Sequence, residues 1–364
     1  MDRPEFQSLI EENLRRAAAR FAAFPRLAPL DESPWVAMSL LQKAIRRGRS
    51  KLALSAAATL LRDAPERLWR RLGVIACEDV GLGDLDAVGV AIAATGGVRT
   101  RAERGGDWPV ACAVVDALAH APKCRAADDL LMVCERHPRS ARRREALRGA
   151  SLTGLLAIVS GAAGIDERAL ALWLALGGGP RHLGLRRPRH ETEAAFDRLG
   201  EVWPGASLEI ARLSFRRSGE LLGPLLGLLA REPMDWSRIE GDEFPPEAMI
   251  GETPGWAFDL YTREGRAVYA RFLETDAPAA QWLRRYVPRA RRVAVFGHCA
   301  FRVEGGLVDR RLRWGLADRL REEVDAWCAG PGGGDVSELL ALVRRDMTRL
   351  NDLRAQLRPA AIRR

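Results

Sequence analysis

Lysine is nearly absent from this 364-residue sequence: it occurs only at Lys43, Lys51 and Lys123, while arginine supplies the rest of a formal net charge of +9. Such a skew, beside abundant alanine and 34 glycines, is what GC-rich coding produces. The charge balance alone therefore argues only weakly for a polyanionic partner. Aromatic residues make up 6% of the chain, and strand-favouring residues are sparse throughout, so helix propensity leads. The six cysteines (Cys77, Cys112, Cys124, Cys134, Cys299 and Cys328) show no CxxC or CxH spacing. That removes the zinc-ribbon and thiol-redox motifs and fits inert core thiols in a reducing compartment. The opening Met1-Asp2-Arg3-Pro4 lacks the basic-then-apolar layout of a signal peptide. The most apolar stretch, Leu152 to Ala163, is too short to cross a bilayer. A cytoplasmic chain with no membrane partner is expected. There is no GxxxxGK[ST], GxSxG or HExxH, and no His, Asp or Glu set has metal-ligand spacing. No catalytic residue, metal site or cofactor is assigned, and ATP hydrolysis by the chain alone is excluded.

What is present is helical spacing. Phe6, Ile10, Leu14, Ala18 and Phe21 line one face of a leading helix, followed by a proline-containing connector up to Pro34. Ser33-Pro34 is a start signal and Gly48 a stop, and Ser50 opens a helix that ends before Pro65. Further short helices are predicted over 66–77, from the Asp84 cap to Gly96, from Pro109 to His120 and over 125–136. Six short helices with short turns describe an orthogonal helical domain. Residues 142–160, 166–176, 191–231 and 262–274 also read as helical, while 293–303 fits either a hairpin or a helix. After the Gly-rich joint at 330–334, Val336, Leu340, Val343, Met347 and Leu350 repeat at alternating steps of four and three, as in a coiled-coil seam. The expected fold is all-α, with room for one small β hairpin. The expected organisation is a helix and connector (1–34), a helical domain (35–138), a helical region (139–240), a helical or mixed region (241–329) that begins in an acidic, proline-bearing linker, and a joint with an amphipathic helix (330–364).

Three blocks of sequence carry a resemblance. They are Ser39-Leu40-Leu41-Gln42-Lys43-Ala44-Ile45-Arg46-Arg47-Gly48, then Leu68-Trp69-Arg70-Arg71 running on to Glu78-Asp79-Val80-Gly81-Leu82-Gly83-Asp84, then Ala121-Pro122-Lys123-Cys124-Arg125-Ala126-Ala127. In order and spacing they resemble the C-terminal helical domain of the MgsA/RarA/WHIP AAA+ recombination factors. The match covers roughly residues 37–136, and Asp259, Thr262, Arg263, Gly265 and Arg266 add a fainter likeness to stand-alone bacterial and phage relatives. The resemblance implies a clamp-loader-collar-like domain that oligomerises, as a tetramer in the family, on DNA. It does not bring the ATPase domain, and it leaves more than half of the chain unexplained.

Within the blocks, Lys43, Arg46 and Arg47 lie together at helical spacing, Arg70 and Arg71 form a second cluster, and Lys123 sits on a turn. These six are the candidate DNA-binding residues, through sequence-independent phosphate contacts. The alternative is a solvated face whose arginine stems cover apolar surface. Glu78, Asp79 and Asp84 read as structural, Asp84 as a helix cap and the other two as partners of backbone amides or of Arg70 or Arg71. The basic stretch from Gly177 to His190 suits phosphate but lacks a flanking strand and helix. His298 and Cys299 are adjacent and cannot form a base–thiol pair directly. Trp69, Trp173, Trp256, Trp282 and Trp314 read as core anchors. The function expected is a non-enzymatic scaffold for DNA replication, recombination or repair, with DNA, itself and a AAA+ ATPase as partners. Two alternatives are a nuclease or hydrolase sited in 140–330 and a prophage or mobile-element protein that binds a host clamp-loader relative.

Overall fold

The computed structural model describes residues 3–177, 187–203, 205–234, 236–327 and 334–361, the side chains of 357–361 excepted. Residues 330–333 of the expected joint, 178–186 of the Gly177–His190 stretch and Cys328 lie outside the described residues. Twenty α-helices and four strands of two or three residues occur among the described residues, so the chain is all-α with a small β hairpin. None of those helices is long and apolar enough to cross a membrane.

The start and stop signals act as the sequence predicts. The Ser33 hydroxyl accepts from the Val36 amide at 3.3 Å and caps Pro34–Arg46, and Gly48 leaves that helix at φ 65°. Asp84 accepts from the Ala87 amide at 2.9 Å and caps Leu85–Ala94. Elsewhere one expected helix is two. Residues 142–160 are divided between Pro138–Leu147 and Leu152–Ser160, because Ser151 caps the second by accepting from the Gly154 amide.

Contacts gather the chain into two units, and neither is contiguous. The first takes residues up to Phe24, Trp69–Ile239 and Arg311–Arg321; the second takes Pro25–Leu68, Glu240–Arg310 and residues from Glu322 onward. Residues 35–138 are therefore shared: 35–68 belong to the second unit and 69–138 to the first.

In the first unit, Arg3–Ala19 buries Phe6, Ile10, Leu14 and Ala18 against Leu85–Ala94 and Asp107–His120. Each large side chain buried in this way contributes about 1.5–3 kcal/mol. Gly89 makes the close approach possible, since a Cβ there would lie 2.8 Å from Ile10 Cγ2. Leu152–Ser160 pairs with Ile165–Leu176, and Gly205–Ser218 with Leu222–Leu229.

In the second unit, Pro34–Arg46 and Ser50–Asp63 pack as a helical hairpin. A separate cluster joins Arg263–Phe272, Pro278–Tyr286, Arg292–Ala300 and the two C-terminal helices, with Phe272 and Phe296 stacked at 4.4 Å. Residues 293–303 resolve as a helix that widens into a π-turn, Phe301–Gly305. The hairpin lies instead at Met249–Ile250 and Thr253–Pro254, inside the stretch expected to be a linker. The coiled-coil seam is corrected too. Asp346 splits it into Val336–Arg345 and Met347–Ala361, and accepts from the Ala279 amide at 2.8 Å. Leu339, Val343, Met347 and Leu350 are core residues of this unit, so the seam packs within its own chain.

Candidate functional site

The second and third blocks of the resemblance meet inside the first unit. Residues Ala76–Val80 form a π-turn, and Gly81 leaves it at φ 49°. The turn carries Glu78 and Asp79 to Arg125, whose buried guanidinium pairs with Asp79 and Asp128, and with Glu78 at 3.3 Å. The Cys124 amide donates to the Val80 carbonyl at 3.0 Å, and a Cβ on Gly81 would lie 2.6 Å from the Cys124 carbonyl oxygen. Glu78 and Asp79 are thus structural, with Arg125 as their partner. Burial pushes the Asp128 carboxyl up to about 7; Arg125 draws it down, while Glu78, Asp129 and Asp79 crowd it upward. Burial also opposes the charge on Arg125, yet Asp128, Asp79 and Glu78 hold its pKa above the ordinary value.

Lys123, expected at a DNA-facing turn, is fully buried. Its ammonium donates to the Ala119 carbonyl at 2.9 Å and to the Ala121 carbonyl at 2.5 Å, closing the end of Asp107–His120. A compact ammonium fits this cradle where a planar guanidinium would not. Arg70 is exposed and Arg71 partly so.

The first block lies in the second unit, and its basic residues also turn inward. Lys43, Arg46 and Arg47 are 3%, 2% and 9% exposed. Lys43 donates to Ser39 Oγ at 2.6 Å and to Asp259, and Ser39 donates to Asp259 at 2.8 Å. Burial pushes the Lys43 pKa down against the pull of Asp259. Burial resists the Asp259 charge, but Lys43, with hydrogen bonds from Lys43, Ser39 and the Tyr261 amide, holds that carboxyl below its usual range. Asp259 is positioned by a built turn: Thr262 Oγ1 accepts from the Gly265 amide at 2.9 Å, and a Cβ on Gly265 would collide with the Asp259 backbone. Arg46 donates to the Gly305 carbonyl at 2.7 Å and lies over the Phe301 ring. Arg47 donates to the Glu304 carbonyl at 2.8 Å between the faces of Phe244 and Trp256. Glu304, on the π-turn, takes Arg354 through both carboxylate oxygens at 3.1 and 2.8 Å. The cavity beside this network holds about 10 Å³, the space of one water. Four of the six candidate DNA contacts therefore serve the interior, in correction of the surface role expected for them.

An open basic groove exists elsewhere, within the first unit. It encloses about 460 Å³ and is lined by Arg187, Arg189, Arg216, Arg217, Glu193 and Phe215, with Gln7, Thr192 and Leu213 completing the wall. Arg187 is braced by the Leu174 carbonyl at 2.8 Å and by Glu191 at 3.0 Å. Arg216 lies 3.3 Å from Glu193, and Arg217 donates to the Ile92 carbonyl and to Thr95 at 3.1 Å. Arg189, Arg216 and Arg217 are exposed. Guanidinium groups so arranged can take phosphate oxygens through paired N–H donors. Among the described residues, no group of three or more His, Cys, Asp or Glu is placed to hold a metal ion.

No protein family, curated protein or solved structure matches this chain. Half of the groove carried a signal in the sequence, since Arg187, Arg189 and His190 end the basic stretch after Gly177. The other half did not: Arg216 and Arg217 close an ordinary amphipathic helix, Gly205–Ser218, and only the fold brings them to the same hollow.

Proposed function

We propose that this chain is a non-enzymatic, cytoplasmic DNA-transaction scaffold that holds nucleic-acid phosphates in the arginine groove of its first unit. The reading joins two supports. One is the resemblance of the three blocks to the MgsA/RarA/WHIP helical domain, whose relatives act on DNA as oligomers beside an ATPase; self-association and a AAA+ partner belong to the proposal on that ground. The other, which carries it, is the groove: four arginines line a hollow of about 460 Å³ in which, among the described residues of the wall, Glu193 is the one acidic side chain. Phosphate contacts of this kind are sequence-independent and weaken linearly on a log–log plot against salt.

Fluorescence anisotropy of labelled DNA over a salt series tests the reading. The intact protein is expected to bind at low salt, and Arg189→Ala with Arg216→Ala to reduce the salt slope by about 1 for each phosphate contact removed. A folded double variant with an unchanged slope and affinity would remove the groove from the proposal.

A further inference from the structure

We infer that the groove takes a single strand of nucleic acid, with one base stacked on Phe215. This inference rests on the groove being a phosphate site and adds the class of strand. A duplex backbone needs only a ridge of cations, because its bases are already stacked on one another. A single strand exposes both charge and base faces, and the proteins that bind it pair a basic groove with an aromatic platform.

The groove has both parts. Phe215 is half-buried and lines the hollow beside Leu213. Its ring is braced from one side by Phe196, with centroids 6.0 Å apart and planes inclined at 58°. Phe196 is itself fully buried, with the Arg212 guanidinium 5.5 Å from its centroid. Arg212 in turn is pinned by Asp197 at 2.7 Å and Glu193 at 3.3 Å. The platform is therefore fixed before any ligand arrives, so stacking on it costs little side-chain freedom. The volume of about 460 Å³ suits one nucleotide, being within the usual span of small-ligand pockets. Gln7 and Thr192 supply neutral hydrogen-bonding groups on the wall, suited to base edges rather than to phosphate.

The test uses the full chain with labelled oligothymidylate, the same strand paired with oligodeoxyadenylate, and oligouridylate, all at one salt concentration. Phe215→Leu keeps an apolar side chain against Phe196 and removes the ring. The expected result is a preference for single strands that falls roughly tenfold in Phe215→Leu, with duplex binding unchanged. Phe215→Trp is expected to keep the preference, and the new indole to be quenched as oligothymidylate is added. Quenching beyond that of the parent with its ten native tryptophans reports stacking at this position, so the test stands even where Phe215→Leu perturbs folding. A preference for either single strand, oligothymidylate or oligouridylate, over the duplex supports the inference. Equal binding of single strand and duplex, with no effect of Phe215→Leu and no quenching, overturns the inference while the phosphate groove stands. Absence of all binding at low salt overturns both.

Discussion

The two units solve the same problem with opposite surpluses of charge. In each, a π-turn delivers a carboxylate to a buried arginine: Asp79 to Arg125 in the first, Glu304 to Arg354 in the second. Around Arg125 the excess is acidic, one guanidinium facing Asp79, Asp128 and Glu78. In the second unit the excess is basic, with Lys43, Arg46, Arg47 and Arg354 gathered about Asp259 and Glu304. The difference matters because a carboxylate can shed its charge by taking a proton in the ordinary pH range, whereas an arginine cannot. The basic surplus is accordingly met by groups that do not titrate: the carbonyls of Gly305 and Glu304, and the faces of Phe301, Phe244 and Trp256. In the acidic cluster, burial pushes the Asp128 carboxyl up to about 7, within reach of a proton.

The comparison breaks most sharply at Glu304. Glu304→Gln leaves the buried Arg354 without its paired carboxylate, and urea unfolding should show a loss of about 3–5 kcal/mol. A loss below about 1 kcal/mol would mean that carbonyls and rings alone support the arginines. Gly81→Ala tests whether the first unit depends as much on its backbone turn. It forces a side chain onto φ 49° and into the Cys124 carbonyl, and about 2–4 kcal/mol should be lost in thermal unfolding. A variant as stable as the parent would show that the turn relaxes freely. The smallest effect concerns pH. The folded state raises the Asp128 pKa above its ordinary value, so the stability it contributes is full below about pH 4 and is lost as pH rises through about 7. Asp128→Asn should flatten the parent's decline in stability across that window. An identical pH profile in parent and variant would place the proton elsewhere in the cluster.

Local signals were legible and long-range partners were not. Ser33, Gly48 and Asp84 acted as the boundaries their chemistry predicts, and Trp69, Trp173, Trp256, Trp282 and Trp314 are all buried. Periodicity identified Lys43, Arg46 and Arg47 as one face of a helix, but a period cannot say what covers that face. Asp259 lies 216 residues further along the chain. The presence of lysine at 43 and 123 stood out in an arginine-rich chain. Its physical content was an ammonium fitting an internal cradle, and the sequence alone offered no way to tell that from a phosphate contact. The C-terminal seam misled for a related reason: a four–three repeat fits a helix packed on its own chain as well as one packed on a partner. In the groove, Arg187 and Arg189 were visible as a basic stretch, while Phe215, Arg216 and Arg217 gained meaning only from proximity.

The division of the chain into alternating segments has a consequence for its synthesis. The polypeptide passes between the two units five times, since six segments alternate along it. Pro34–Arg46 leaves the ribosome well before the partners of its basic end, since the Asp259 carboxylate and the Gly305 carbonyl are made more than 200 residues later. At about 5–20 residues per second, that helix waits roughly 10–50 s with its charges and apolar face unmatched. The cluster that holds Leu339, Val343, Met347 and Leu350 cannot close until the last two helices are out. A nascent chain of this design leaves the second unit unfinished over most of its translation, and a prematurely terminated one never completes it.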